Sequence, residues 1–520
     1  MTVARRIWLP ALARVAAALA LILACPALAL LAAMVSPRLR STLAQDAALL
    51  LADLHADTGW PLALVVTAAI GALVLIHPFP PDDLARDLVA WVDHDDYRQM
   101  FWGSPRVPAV DWYLGFDHLA AQAWILPAAW RALPFQLLPL LGLLGVMIAA
   151  LARIFPAEIP ERRLWIAGLL LLTLLMPGMT TRIMQGRPEI WFSVWALSAL
   201  VLEGWLWCAI GLLLAPLYWL APIYAAGALL LRTHSDRPWR TRLLWGAAYV
   251  AVSAALWWWL SDGRWLNGLS LLVTSGHDRI GSVSETDTVW TLMAASGAAL
   301  WAWLAWRYRR GFDLQADRDL WLVLVIFLIP DMVRYTSMVS PLLVLLLARA
   351  SVRIESCGAC GQGRVPAAGV RLLLTWACIF LLPLGFDGSA APAPGFLAHV
   401  QPGDRVLAPF SPALYRSLFV AVPRGALVAP AMEVGMTTHA VQQMALDLAR
   451  GQVDCAALYQ HHVRWVVESA HTGAVPPCLR LDSTDGPLRA WRVVSAVPMR
   501  EQRSGTRVES AKAHVTGDSP

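Results

Sequence analysis

The chain has 520 residues, of which 58% are hydrophobic and only 15% are charged, and its mean hydropathy is +0.55. These values exclude an ordinary soluble domain and predict a protein that crosses a membrane many times. The net charge of +5 comes almost wholly from arginine, since Lys512 is the only lysine, and no basic run indicates a nucleic-acid partner.

A membrane-crossing helix needs about 20 apolar residues. Candidate spans of this kind lie at 10–35, 60–77, 133–152, 164–178, 189–204, 205–231, 243–260, 289–306, 318–331, 336–349 and 371–386. The predicted fold class is mainly α: a polytopic transmembrane helix bundle of about 11–13 spans, including a re-entrant helical hairpin, with a small α/β extramembrane C-terminal domain.

Arginine clusters set the predicted orientation, because they mark cytoplasmic loops. They occur at 153–163, 232–242, 307–310 and 349–371. The segments between them then face outward, at 78–131, 179–188, 261–288 and 331–335, together with everything after about residue 387. The sequence thus predicts a multi-pass protein of the cytoplasmic membrane with an extracytoplasmic C-terminal domain.

Two segments test this alternation. Residues 205–231 must enter and leave on one side, as half-helices broken near Pro216 and Pro222. The direction of the span 10–35 stays open, because its two arginine-bearing flanks favour opposite orientations, and a cleaved signal peptide would have a shorter apolar core.

The predicted domains are the bundle at 1–386, a soluble α/β domain at 387–500 and a disordered tail at 501–520. The soluble domain is predicted because the apolar runs shorten to strand length, at 405–408, 426–429, 463–467 and 488–494, around a helix-like stretch at 439–450. Cys455 and Cys478 are its only cysteines, which predicts a disulfide in an oxidising compartment. The CxxC pair Cys357 and Cys360 is read as an ordinary loop rather than a metal or redox site.

The outward loop from Pro78 to Trp124 contains eight aspartates. Three prolines end the preceding span, so that Asp82 and Asp83 emerge just beyond the membrane. Paired carboxylates share a divalent cation, or one of them acts as a general base. The alternative for either residue is to cap the helix predicted at 84–91.

Later in this loop, Asp95 and Asp96 precede Tyr97, and Asp117 precedes His118. Acids beside aromatic rings suit a carbohydrate, whose faces stack on rings while its hydroxyls need fixed acceptors. These residues are candidate substrate contacts, with ordinary loop packing as the alternative.

Two arginine motifs lie on the same predicted side. Arg182 or Arg187 would hold an anionic phosphate, with Glu189 as an orienting carboxylate, although Pro188 and Glu189 also suit a plain helix start. Arg334, followed by Tyr335, is a second candidate phosphate clamp, because a guanidinium matches phosphate oxygens. Its alternative partner is Asp331.

Taken in order, these features resemble the GT-C superfamily of polytopic glycosyltransferases, which use polyprenyl-phosphate-linked sugars. The resemblance covers roughly residues 60–386 and rests on Pro81-Asp82-Asp83, Arg187–Glu189, the broken segment Leu217–Tyr224, Arg334–Tyr335 and the soluble C-terminal domain. It implies that Asp82 or Asp83 is catalytic or binds a divalent metal, Mg²⁺ or Mn²⁺. The span 10–35 departs from the pattern, since it precedes a loop that usually follows the first helix.

The predicted function is transfer of a sugar from a polyprenyl-phosphate donor to a glycan, lipid or protein acceptor on the outer membrane face. Two alternatives stay open. One is a transporter or flippase of envelope lipids or glycans, which would favour charges near the bilayer midplane. The other is a non-catalytic scaffold subunit of a polysaccharide assembly.

Overall fold

The structure is a computed structural model, and it describes residues 41, 59–76, 84, 102, 114–127, 130–159, 161–176, 178–202, 205–218, 221–231, 239–263, 292–328, 336–356, 367–386, 395–409, 418, 425–429, 438–468, 475–485 and 488–494. The first predicted span, the pair Cys357 and Cys360 and the predicted tail lie outside these residues.

Before residue 387 the described residues form helices joined by turns. The helices are α1 (Trp60–Ile76), α2 (Leu114–Ala121), α3 (Leu133–Ile154), α4 (Arg162–Leu175), α5 (Met179–Met184), α6 (Pro188–Ser198), α7 (Trp205–Leu214), α8 (Ala221–Leu231), α9 (Trp239–Leu260), α10 (Leu292–Arg307), α11 (Arg318–Leu328), α12 (Thr336–Ser356), α13 (Ala367–Trp376) and α14 (Leu382–Gly385). A π-helical turn, Ala377–Leu381, joins the last two. Each predicted span in the described residues overlaps at least one of these helices.

Two described helices are long and apolar enough to cross a membrane, by length and composition. Leu133–Ile154 has 22 residues and a mean hydropathy of 2.2, and Ser337–Glu355 has 19 residues and a mean hydropathy of 1.6. Shorter apolar helices occur at Trp60–Leu75, Gly246–Leu260 and Val370–Leu384. A mainly helical fold is therefore confirmed, and the larger number of spans stays a prediction.

The break predicted within 205–231 is present. Helix α7 ends in a 3-10 turn at Ala215–Leu217, and α8 starts anew at Ala221. Proline at 216 has no N–H group to donate to the carbonyl of Leu212, so it interrupts the helical hydrogen-bond pattern. Two side chains of α9 donate hydrogen bonds to carbonyls near this point. Trp257 Nε1 donates to Ala215 O at 3.0 Å, and Tyr249 Oη donates to Gly211 O at 2.7 Å. Helix α9 is thus hydrogen-bonded to the backbone of the chain just before the break.

Helix α3 fixes the two ends of α6. Near its start, Gln136 Nε2 donates to Met184 O at 2.7 Å. Near its end, Arg153 donates to Leu200 O at 2.6 Å and to Val201 O at 2.8 Å. Positions 136 and 153 are separated by about 25 Å of helix, close to the thickness of a bilayer core. We call these the Glu189 end, after the first turn of α6, and the Arg153 end.

The C-terminal region forms a five-stranded mixed sheet with the order β2-β1-β3-β5-β4. Its strands are β1 (Arg405–Leu407), β2 (Leu427–Ala429), β3 (Val463–Glu468), β4 (Leu479–Asp485) and β5 (Leu488–Val493). Strand β1 pairs in parallel with β2 and β3, whereas β3, β5 and β4 pair antiparallel. Helices α15 (His439–Ala449) and α16 (Cys455–Gln460) pack on it. The sequence predicts a small α/β region here, and the structure has a small mixed sheet with helices packed on it.

A residue from the acidic outward loop is built into this sheet region. Trp102 is 3% exposed and packs in one core with Leu407 and Val466. Its backbone N donates to Val428 O at 3.2 Å, and its Nε1 donates to Val406 O at 2.9 Å. A buried side chain from the segment before α2 therefore packs into the C-terminal sheet and is hydrogen-bonded to it.

The structure joins Cys455 to Cys478 by a disulfide, with a Cα–Cα distance of 5.9 Å. Replacing both cysteines by serine should lower the free energy of unfolding by about 3 kcal/mol, because the cross-link restricts the unfolded chain. Thermal unfolding of the double variant and the wild type, each with and without dithiothreitol, measures this loss. A wild type that is insensitive to the reductant would contradict it.

Candidate active site

The site is built around the start of α6. Arg187 adopts an extended backbone and precedes Pro188, whose fixed φ suits the first helical position. Glu189 follows in the first turn, where a carboxylate is favoured by the helix dipole. The helix start predicted from the sequence is therefore present, and it coexists with the features described next.

Arg187 and Glu189 form a buried pair. Their Nη1 and Oε1 atoms lie 3.9 Å apart, and the side chains are 7% and 1% exposed. Neither carboxylate oxygen of Glu189 has a hydrogen-bond partner among the described residues. A buried carboxylate with one loose ion pair needs a further partner: a donor from outside the described residues, water or a bound ligand.

Further polar groups lie in the segment before α6. Arg182 and Gln185 are both buried, and Arg182 Nη1 donates to Gln185 Oε1 at 3.1 Å. This segment is itself fixed to α3 through the Gln136 bond to Met184 O. Four polar side chains of residues 182–189 are thus enclosed at the Glu189 end.

Gly186 connects this segment to the acidic loop. Its φ of +59° favours glycine, and a Cβ at this position would lie 2.5 Å from Leu84 Cδ2. Leu84 is fully buried and follows Asp83 directly in sequence. The described residue next to the predicted acidic pair therefore packs on the backbone beside Arg187.

A residue that follows the Arg334–Tyr335 motif in sequence also contacts α6. Ser337, two residues after Tyr335, lies with its Oγ 2.7 Å from Ser193 Oγ. Ser193 is one turn beyond Glu189 on the same face of α6, and its hydroxyl also donates to Glu189 O. Sequences flanking two predicted motifs therefore meet on residues 186–193.

The broken segment completes the surroundings. Phe192 packs against Tyr218 and Tyr224, with ring centroids 5.8 Å apart in both cases. Both tyrosines are fully buried. Position 192 lies on the Glu189 face of α6, so the segment between α7 and α8 adjoins the site.

Helix α2 brings the end of the acidic loop to the same break. Gly115 packs so closely that a Cβ would lie 2.5 Å from Pro216 O, and Phe116 packs edge-on against Phe135 at 5.3 Å. Asp117 is fully buried whereas His118 is exposed. Of this predicted pair, only the aspartate faces the interior.

The remaining predicted site residues, Asp82, Asp83, Asp95, Asp96, Tyr97, Arg334 and Tyr335, lie outside the described residues. Their convergence with Arg187 stays a prediction. In the described part of the chain, no group of three His, Cys, Asp or Glu side chains is placed to hold a metal ion.

Sequence reasoning missed Gln136, Ser193 and Ser337. Each is a small or neutral polar residue within an apolar span, and that isolation is the only local signal it gives. A polar side chain in such a span needs an internal partner, but the sequence does not say which.

No protein-family model matches the chain, and no curated protein matches it either. Solved structures of an oligosaccharyltransferase from Archaeoglobus fulgidus are similar to it. The complex with Zn and sulfate has 11% identity and a TM-score of 0.42, over 78% of this chain and 67% of that chain. The archaeal oligosaccharyltransferase AglB bound to an inhibitory peptide and a dolichol-phosphate has 12% identity and a TM-score of 0.41, over 78% and 69%.

Proposed function

We propose that the chain is a polytopic membrane glycosyltransferase of the GT-C type. It would move a sugar from a polyprenyl-phosphate-linked donor to a glycan, lipid or protein acceptor at the Glu189 end of the bundle. That end would face outward from the cytoplasmic membrane, on the same side as the C-terminal domain.

One observation carries the proposal. Leu84 and Ser337, which flank the acidic pair and the Arg334 motif in sequence, pack on Gly186 and Ser193. Between these two contacts lies the buried pair of Arg187 and Glu189. Three motifs that are far apart in sequence therefore have their described neighbours on one short segment.

The proposed mechanism divides the chemistry among these groups. Asp82 or Asp83 removes the proton of the acceptor hydroxyl as the donor phosphate leaves. Arg187 and Arg334 hold the phosphate and balance its developing charge, for which a guanidinium fork is suited. Glu189, 3.9 Å from Arg187 Nη1, keeps that guanidinium oriented. The sugar and the acceptor would be contacted by Asp95, Asp96, Tyr97 and Tyr335.

A divalent ion, Mg²⁺ or Mn²⁺, is part of the proposal only at Asp82 and Asp83. Paired carboxylates are oxygen ligands of the kind these ions prefer. When bound, such an ion would withdraw charge from the departing phosphate.

The distribution of charge favours a transferase over a transporter. Helix α3 has no ionisable side chain from Leu133 to Ala152, and α12 has none from Thr336 to Ala348. The charged groups on these helices lie towards the Arg153 end. A transporter would instead place charges near the middle of the bundle.

The experiment uses the full chain, purified and placed in lipid nanodiscs. It is offered a panel of polyprenyl-phosphate hexoses and pentoses with cell-envelope glycans and lipids, and released polyprenyl phosphate is measured by mass spectrometry. Arg187→Gln should raise the KM for the donor about 10- to 100-fold, since charge-assisted hydrogen bonds are lost. Arg163→Gln, at an exposed arginine, should leave it unchanged. No release by folded wild type from any donor would sink the proposal.

A further inference from the structure

A cavity of about 580 Å³ lies at the Arg153 end of the bundle. It is about 25 Å of helix away from the proposed transfer site, and the proposed function does not use it. Its charged lining residues are Arg153, Asp317, Asp319, Arg349 and Arg353. A cavity of this size with charged walls holds water or a ligand, because it is too large and too polar to stay empty.

Ion pairs account for two of the arginines. Arg349 holds Asp319 with both nitrogens, at 2.9 and 3.2 Å, and Arg353 holds Asp317 at 2.7 and 2.6 Å. The two carboxylates are at most 1% exposed. The attraction within a buried ion pair offsets the cost of desolvating its charges only when the geometry is good. Here the two pairs connect the start of α11 to the end of α12. Two positive and two negative charges cancel.

The loop that presents Asp317 is held in place as well. Asp313 accepts N–H groups from Gln315 and Ala316 at 2.9 and 3.0 Å. These bonds keep the pKa of the Asp313 carboxyl below its ordinary value. The turn that precedes Asp317 is therefore closed by hydrogen bonds to the Asp313 side chain.

Arg153 is the charge that remains. Its bonds go to the carbonyls of Leu200 and Val201, and no described carboxylate pairs with it. A guanidinium has five N–H donors. The two bonds of Arg153 leave three donors, and the three bonds of Arg349 leave two. Among the described residues, the cavity wall thus carries one positive charge without a carboxylate partner, on the exposed Arg153, and guanidinium donors that no described group accepts.

The rest of the lining is hydrocarbon. Ile154, Leu200 and Val352 form part of it and are partly exposed. Water or an inorganic anion would satisfy the guanidinium groups but would leave these side chains against a polar filling. An amphiphilic anion satisfies both walls, because its phosphate meets the arginines and its glyceryl and acyl carbons meet these apolar side chains.

We infer that this cavity binds the phosphate headgroup of an anionic phospholipid, with Arg153 and Arg349 as its donors. The inference does not rest on glycosyl transfer. It requires that the chain meet a bilayer at this end, where basic groups between helices are suited to anionic headgroups.

The test measures lipid binding to the full chain in detergent. Phosphatidylglycerol, phosphatidylcholine and inorganic phosphate are titrated separately, with the shift in thermal midpoint and retention in native mass spectrometry as readouts. The wild type should bind phosphatidylglycerol, and Arg153→Gln should weaken this binding at least ~tenfold, since charge-assisted hydrogen bonds are lost. Glutamine keeps an amide donor for the carbonyls of Leu200 and Val201. Arg310→Gln, an exposed arginine at the same end that does not line the cavity, is the matched control.

A second variant covers the case in which Arg153→Gln fails to fold. Ala316 is exposed and lines the cavity, so Ala316→Trp should obstruct it without disturbing the core, and phosphatidylglycerol binding should fall by a similar factor. Equal binding by both cavity variants and the Arg310→Gln control would overturn the inference. So would equal binding of phosphatidylcholine, and so would stabilisation by inorganic phosphate as strong as that by the lipid.

Discussion

Asparagine in place of both Asp82 and Asp83 should reduce sugar transfer by about 10²–10⁴-fold, the contribution of a positioned general base. Asparagine has nearly the same shape as aspartate but can neither take the acceptor proton nor supply an anionic metal ligand. It is also as good a helix N-cap as aspartate. The single variants Asp82→Asn and Asp83→Asn therefore separate the two roles. The variant that loses activity identifies the reacting residue, whereas replacing an aspartate that only caps the helix leaves activity unchanged.

The measurement is initial rate of polyprenyl phosphate release at several pH values and Mn²⁺ concentrations. If the carboxylate acts as the base, its loss removes the acidic limb of the wild-type pH profile. If it holds a metal ion, extra Mn²⁺ restores part of the rate in a single variant. Asp262→Asn is the control, since Asp262 is exposed with a φ of 50°, a conformation that asparagine also accepts. Wild-type rates in the double variant would refute the assignment.

The helices and the break between α7 and α8 could be predicted because their signals are local. Apolar length predicts a span, and prolines at 216 and 222 predict where it is interrupted. The ends are less certain: α12 continues to Ser356, whereas its predicted span stopped at 349. Arg349 and Arg353 were read as loop markers, but within this longer helix they pair with Asp319 and Asp317.

The sheet shows the same division. Strands β1, β2, β3 and β5 follow apolar runs that the sequence displays, whereas β4 was missed. Its sequence, LRLDSTD, is mostly polar and exposed, as expected for an edge strand that pairs on one side only. The pairing partner β5, and not the local pattern, makes it a strand.

Burial at the site was the least predictable feature. Glu189 was expected as a carboxylate at a helix start on the outer side, and that position is correct. Its complete burial is a tertiary property, and elements distant in sequence pack beside it on α6, as Tyr224 of α8 does on Phe192. No local sequence pattern around residue 189 predicts those contacts, so the burial of its carboxylate is evident only from the three-dimensional structure.

Trp102 is a second case of a contact that local sequence cannot reveal, since its indole N–H donates to a carbonyl 304 positions away. Trp102→Ala should destabilise the sheet region by about 3–5 kcal/mol, the usual loss for a buried aromatic truncated to alanine. Trp102→Phe keeps most of the ring but leaves the Val406 carbonyl without its indole donor, and should lose about 1–3 kcal/mol.

Hydrogen exchange of the central strand β3, followed by mass spectrometry on the full chain, measures this loss, because its amides open only when the sheet unfolds. Trp130→Ala is the control, since Trp130 belongs to the same outward segment but is 55% exposed. The ring of Trp102 also lies 5.7 Å from that of His461 and 5.9 Å from the Arg405 guanidinium, so its removal also takes away contacts at the start of β1. If Trp102→Ala and Trp130→Ala exchange alike, the acidic loop is not held by the sheet. If only Trp102→Ala accelerates exchange, the sheet is held partly by a side chain from the loop that carries Asp82 and Asp83, and the two regions share their stability.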